Sequence, residues 1–79
     1  MNIIETDHAD KLSRMAEQIA DFFKAYPEEE AAQSIAAHIN QFWGSRMRAD
    51  FLAACKNGLI TPSPLILKAI AHITAGQNA

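Results

Sequence analysis

Apolar residues recur at steps of three and four along nearly the whole chain, and this spacing is what most limits the fold. Side chains three and four residues apart lie on one face of an α-helix, whereas a half-buried strand needs alternation with a period of two. No segment of the sequence alternates in that way. The pattern is interrupted at Pro27, Gly44, Gly58, Pro62 and Pro64. The sequence therefore predicts an all-α fold, a small bundle of about four short helices.

The first two predicted helices meet at Pro27. The first begins near Thr6 or Asp7, because either side chain can cap free backbone N–H groups. It ends near residues 25–26, because the residue before a proline disfavours the helical region. Pro27 then takes the first helical position of the second helix, which Gly44 ends in a left-handed conformation. The apolar stripes expected to face the core are Leu12, Met15, Ala16, Ile19, Phe22, Phe23 and Tyr26, then Ala32, Ile35, Ile39 and Phe42.

Ser45 is predicted to cap a third helix that runs to about Asn57 and is ended by Gly58. Ser63-Pro64 is a typical start for a fourth helix, which is expected to end before Gly76. The apolar positions of these two helices are Met47, Phe51, Ala54 and Cys55 with Leu52 on the flank, then Leu65, Ile66, Leu67, Ile70 and Ile73.

The length of 79 residues predicts a single helical domain over residues 1–79, with residues 1–6 and 76–79 frayed. A chain this short buries only about 60–65% of the surface that its unfolded form exposes. Its single cysteine cannot form an internal disulfide. Small domains without a disulfide or metal often depend on self-association or on a partner, so the composition favours an interaction protein.

The net charge of −2 and the pI of about 5.8 differ from those of a typical nucleic-acid-binding domain, which is basic. The N-terminal residues lack the basic and apolar regions of a signal peptide. No apolar run approaches the ~20 residues that span a bilayer. A lone Cys55 without an export signal fits a reducing compartment. We therefore expect a cytoplasmic protein that binds neither nucleic acid nor membrane.

The reactive side chains do not form a recognisable active site. His8, His38 and His72 are not three or four residues from one another or from Cys55, so no metal-ligand spacing occurs. Cys55 lies near a helix C-terminus, where the helix dipole disfavours a thiolate. The acidic run Glu28–Glu30 suits a first helical turn. No phosphate-binding loop or hydrolase motif is present. The sequence predicts no catalytic, cofactor-binding or metal-binding residue.

One cluster is typical of a protein–protein interface: Phe42, Trp43, Arg46, Met47 and Arg48. Adjacent helical residues point about 100° apart, so if Phe42 faces the core, Trp43 lies at its edge or faces outward. Arg46 and Arg48 place positive charge at a helix start, against the dipole. Aromatic residues, Met and Arg are enriched at interfaces. We therefore predict that these five residues bind a partner; the alternative is that Trp43 completes the core and the arginines are solvated.

The same cluster carries a resemblance to a known family. The Phe-Trp-x-x-Arg-Met-Arg string is the most specific part of an ordered match from about residue 10 to residue 70. The matching segments are Met15–Phe23, Tyr26-Pro27, Ala36–Trp43, Arg46–Arg48, Ser63–Leu65 and Ala69. In them the chain resembles the delta subunit of the soluble, molybdenum-dependent, NAD-linked formate dehydrogenases. Two departures occur: Gly44-Ser45 replaces Asp or Asn followed by Pro, and Ser13 replaces an aliphatic residue.

The resemblance implies a non-catalytic subunit that acts in assembly or stability of the holoenzyme. It places the molybdenum–pterin cofactor and iron–sulfur clusters on the large catalytic subunit and the flavin on another subunit. Docking of the cluster on the large catalytic subunit is the leading hypothesis. Two alternatives remain open. One is a helix-turn-helix nucleic-acid binder in which Arg46 and Arg48 open the recognition helix. The other is a homo-oligomeric adaptor, with a homodimer formed by the isolated chain.

Overall fold

Four α-helices form the described part of the chain in the computed structural model, which covers residues 3–74 with side chains from Asp7 onward. No strand occurs within residues 3–74, so the predicted all-α fold of four short helices is confirmed. The helices are α1 (Ile3–Phe23), α2 (Glu28–Phe42), α3 (Ser45–Lys56) and α4 (Pro64–Ile70).

Helix α1 is longer at its start and shorter at its end than the sequence predicts. It begins at Ile3 rather than at Thr6 or Asp7, and it ends at Phe23. The Tyr26 N–H donates to the Phe23 carbonyl oxygen at 2.9 Å, which closes a turn before Pro27. Of the residues expected to fray, 1–2 and 76–79 lie outside the described part, and residues 3–6 have helical backbone.

The caps of α2 and α3 also differ from the prediction. Pro27 is extended, with φ −53° and ψ 143°, and therefore precedes α2 instead of forming its first helical residue. Gly44 is extended as well, with φ −64° and ψ 161°, and is itself the N-cap of α3. The predicted left-handed Gly44 and the predicted cap by Ser45 are therefore wrong. The chain leaves α2 through the extended residue Trp43, so no left-handed residue is needed there.

Two other predicted helix ends are confirmed. Gly58 follows α3 with φ +76°, a left-handed conformation that glycine adopts without steric cost. Ser63 is the N-cap of α4, and its hydroxyl accepts from the Ile66 N–H at 3.5 Å. Pro64 opens α4, as expected.

Alanines make up much of the buried surface of α1 and α2, which pack against each other. Ala16 and Ala20 on α1 and Ala32 and Ala36 on α2 are all buried, and side chains this short let two helix backbones approach closely. α2 packs mainly against α4 and α1, and α3 packs mainly against α1. The molecule is about 18 Å across its shortest axis, close to two helix diameters. The largest fully buried side chains are Phe51, Leu12, Ile35, Ile39 and Ile66.

The orientations of Phe42 and Trp43 are the reverse of the expectation. Trp43 is 6% exposed and lies in the core, whereas Phe42 is 65% exposed. Because Trp43 is extended, its side chain departs from the helical direction and packs edge-on against Phe51, with ring centroids 5.6 Å apart. The predicted core positions Phe22, Tyr26 and Leu67 are exposed as well.

Gly44→Asp is expected to raise the free energy of unfolding by roughly 0.5–1 kcal/mol. Asp can cap the α3 N–H groups, complements the dipole at a helix start that lacks acids, and restricts the unfolded chain. A Cβ at Gly44 would meet no atom within 4 Å. Gly58→Asp is the matched control and should destabilise the chain, because φ is positive there. Urea denaturation measures both, and a destabilised Gly44→Asp variant would contradict the cap geometry.

Candidate partner-binding surface

The five predicted partner-binding residues divide into two groups in the structure. Phe42 and Arg46 are exposed at the corner between α2 and α3. Trp43 lies in the core, and Met47 and Arg48 are half-buried. The corner is therefore partly exposed and partly buried in the protein's own core.

Arg48 joins the end of α2 to the segment after α4. Its Nη1 donates to the carbonyl oxygens of Asn40 at 3.0 Å and Trp43 at 2.6 Å. Its Nε donates to the carbonyl oxygen of Thr74 at 3.1 Å. The last carbonyls of a helix lack intrahelical partners and carry the negative end of the dipole, so a guanidinium is stabilising there. The positive charge that opposes the dipole of α3 is thus matched by the C-terminus of α2.

Asn40 makes two further bonds to the same segment. Its Nδ2 donates to the His72 carbonyl oxygen at 3.1 Å, and its Oδ1 accepts from the Thr74 N–H at 2.8 Å. We call Asn40, Arg48 and residues 72–74 the Asn40–Arg48 clasp. Asn40 belongs to the segment Ala36–Trp43 of the family resemblance, but the sequence alone predicts no role for it. The clasp accounts for Arg48 as a structural residue.

Arg46 is held only weakly. Its side chain is 89% exposed, and its Nε lies 3.4 Å from Asp50 Oδ1. The other oxygen of Asp50 lies 3.1 Å from His8 Nε2 on α1. Exposed ion pairs contribute only about 0.2–1 kcal/mol. Arg46 is therefore free to rearrange toward a partner at little cost.

An apolar groove with a volume of about 470 Å³ runs between α1 and the second half of α2. Phe22, which is 71% exposed, lines one side. Phe42 packs against His38 on the other side, with ring centroids 4.7 Å apart. We call this the aromatic groove. Its lining residues are Met15, Gln18, Ile19, Phe22, Phe23, His38 and Trp43.

A second depression, of about 430 Å³, lies on the opposite flank of α1 and is charged. It includes Glu17, whose Oε2 accepts from the Ser63 N–H at 3.0 Å and so holds the start of α4. It also includes Asp21 and Lys24, which pair at 2.9 Å. Hydrogen bonding to Asp21 raises the pKa of Lys24. These carboxylates serve contacts within the chain.

Among the reactive side chains considered in the sequence, His72 and Glu29 approach each other, with His72 Nε2 3.8 Å from Glu29 Oε2. Within residues 3–74, no three His, Cys, Asp or Glu side chains are placed to hold a metal ion. Burial raises the pKa of the Cys55 thiol, and the negative charge of Glu17 raises it further. In the same part of the chain, no helix combines the length and apolar character needed to cross a membrane.

Both the aromatic groove and the two side chains of the clasp lie within the region that matches a known family. The model of that family, described as the NADH-dependent formate dehydrogenase delta subunit FdsD, matches residues 11–70. The chain belongs to the FdsD family. The resemblance predicted from the sequence is thus confirmed. No curated protein and no solved structure matched the chain.

The range that matches the FdsD family contains the whole aromatic groove but only part of the clasp. The matched range ends before residues 72–74, so it contains Asn40 and Arg48 of the clasp but not the carbonyls or the Thr74 N–H of the last segment. It contains every residue that lines the aromatic groove. The groove therefore lies wholly within the matched range.

Arg48→Gln is expected to lower the free energy of unfolding by roughly 1.5–3 kcal/mol, because it removes charge-assisted hydrogen bonds to carbonyl oxygens. Arg46→Gln is the matched control and should change it by less than about 1 kcal/mol. Urea denaturation measures both, and amide exchange at Thr74 should accelerate only in the Arg48 variant. Equal effects of the two substitutions would contradict the clasp.

Cys55 should react slowly with iodoacetamide in the folded chain. Its raised pKa leaves less thiolate at pH 7–8 than an unperturbed thiol has, and thiolate is the reacting form. The rate in the folded protein should fall below that in urea and rise as the pH passes above the usual thiol range. Because the chain has one cysteine, mass spectrometry reads this site alone. A native rate equal to the unfolded rate would contradict the burial of Cys55.

Proposed function

We propose that this chain is a non-catalytic accessory subunit of an NADH-dependent formate dehydrogenase, acting in assembly or stability of the holoenzyme through protein–protein contacts. The observation that carries the proposal is the position of its two most exposed large apolar side chains. Phe22 lines the aromatic groove, and Phe42 packs against His38, a lining residue of the opposite wall. Contiguous exposed apolar surface on a small protein marks an interaction site.

The proposed surface is centred beside the corner predicted from the sequence. Phe42 and Arg46 supply exposed contacts, and Trp43 forms the floor of the aromatic groove. Met47 packs against the core beneath, and Arg48 holds the corner through the clasp. In this proposal the five residues act together, two by contact with the partner, one by shaping the groove and two by fixing the backbone.

The large catalytic subunit is the proposed partner, in the cytoplasm. The molybdenum–pterin, iron–sulfur and flavin groups are proposed to belong to other subunits. An iron–sulfur cluster is held by several cysteine thiolates, and this chain has one cysteine, which is half-buried and whose pKa is raised. The residues present therefore do not fit such a cluster.

An effect on assembly follows from the size of the chain. A domain of fewer than about 80 residues has only a few kcal/mol of stability from its own core. A partner that binds the folded form adds stability in proportion to the logarithm of its concentration over Kd. Docking would therefore protect this subunit while covering apolar surface on both proteins.

The nucleic-acid alternative loses support from the structure. Arg48 was one of the two residues expected to open a recognition helix, but it is bound to carbonyls of its own chain. Arg46 alone remains exposed in the first turn of α3. A single arginine gives little of the phosphate neutralisation on which such binding depends.

Replacing Phe22 and Phe42 together by Ser is expected to reduce co-purification with the large catalytic subunit at least about tenfold. The pair loses apolar contact area, and about 1.4 kcal/mol corresponds to a factor of ten. Leu67→Ser is the matched control, because Leu67 is 55% exposed on α4 and does not line the groove. Circular dichroism checks folding. Undiminished recovery of the folded double variant would remove the groove as the docking surface.

A further inference from the structure

The walls of the aromatic groove are helix surfaces. Met15, Ile19 and Phe22 lie at helical spacing along α1, and His38 and Phe42 lie one turn apart on α2. Backbone N–H and C=O groups within a helix are already bonded to one another. Along these helical stretches, before the last turn of α1, the groove presents side chains to an incoming segment and has no backbone edge with which that segment could pair.

This property separates the possible occupants. An extended peptide pressed into the groove would bury its own N–H and C=O groups, and each unsatisfied group costs about 1–3 kcal/mol. Gln18 and His38 are the polar side chains of the lining and could pair with only a few of them. An α-helix satisfies its backbone internally and inserts only side chains. A helical occupant is therefore favoured over an extended one.

The charge of the lining restricts the occupant further. The lining of the aromatic groove contains no carboxylate and no ammonium group. The depression on the other flank of α1, by contrast, includes Glu17, Asp21, Lys24 and Glu28. A charged side chain buried in the uncharged groove would lack a partner. The complementary surface is thus apolar at its centre, with polar groups where it meets Gln18 and His38.

A second copy of this chain fits less well. A two-fold dimer through this surface would place one concave groove against another, which leaves a void instead of close packing. A convex helix fills the same space. The distance from Met15 to Phe22 is seven residues, or about 10 Å at 1.5 Å per residue, so two to three turns of an occupying helix would cover it.

We infer that the aromatic groove binds one amphipathic α-helix of a partner subunit, whose apolar side chains at i, i+3 or i+4, and i+7 insert between α1 and α2. This rests on the proposed function, since the helix is supplied by the dehydrogenase complex. The bound helix adds a third layer to a molecule that is about 18 Å thick. Phe22 contacts it from the α1 wall, and Phe42 lies beside His38 at the α2 wall.

Photo-cross-linking in the assembled complex tests the inference. p-Benzoylphenylalanine is placed at position 22 or 42, with position 67 as the matched exposed control. Both groove positions are expected to label one partner segment, within about three turns and at helical spacing, and position 67 is expected to label a different region or none. Labels on separate segments, or on a second copy of this chain, would overturn the inference. If the complex forms without any groove label, the groove is not the site, although the proposed function stands. If the wild-type chain forms no complex, both fail.

A peptide competition distinguishes a helix from an extended segment. A synthetic peptide of the labelled segment should displace the partner from the wild-type chain. The same peptide with a central proline, which breaks a helix but is tolerated in an extended chain, should compete at least about tenfold less well. Equal competition by the two peptides would show that the groove binds an extended segment, and the inference would be wrong.

Discussion

The bonds from Arg48 to the end of α2 are the interaction on which the rest of the structure depends. Helix α2 stops at Phe42 and leaves carbonyls without helical partners, and the guanidinium reaches those of Asn40 and Trp43 from the first turn of α3. The same group holds the Thr74 carbonyl. The half-buried guanidinium of Arg48 thus links the end of α2 to the start of α3 and also holds the segment after α4. Trp43, whose carbonyl oxygen it binds, is extended and lines the aromatic groove.

The corner also requires two particular backbone positions after Trp43. Position 44 is an extended N-cap and position 45 is the first residue of α3. Asp or Asn suits the first of these positions and Pro suits the second. Gly44 and Ser45 adopt that geometry without the N-cap preference of Asp or Asn and without the fixed φ of Pro. The bonds made by Arg48 therefore replace rigidity that the local sequence lacks, and they do so from outside the turn.

The helical fold could be predicted from the sequence because spacing, Gly58 and Ser63-Pro64 are local signals. The orientations of the Phe42 and Trp43 side chains could not be predicted, because they depend on where α2 ends. A helical projection continued by one residue puts Phe42 inside and Trp43 at the edge; a helix that stops at Phe42 reverses them. The aromatic groove could not be predicted from the sequence for a similar reason. The apolar face of α1 is too wide to be covered completely, and packing alone decides that Phe22 stays outside.

The alanines in the core link the stability of the fold to its docking surface. Ala16, Ala20, Ala32 and Ala36 belong to one buried cluster to which both α1 and α2 contribute, and side chains this short let packed helices lie close together. Phe22 and Phe42 lie outside this cluster and bury little surface within the chain; Phe22 lines the groove, and Phe42 packs against His38. Substituting larger residues in the core would enlarge the interior but separate the groove walls. A small core and an exposed aromatic surface are thus two results of the same packing. In the proposed complex, a partner helix would bury the aromatic side chains that the isolated chain leaves exposed.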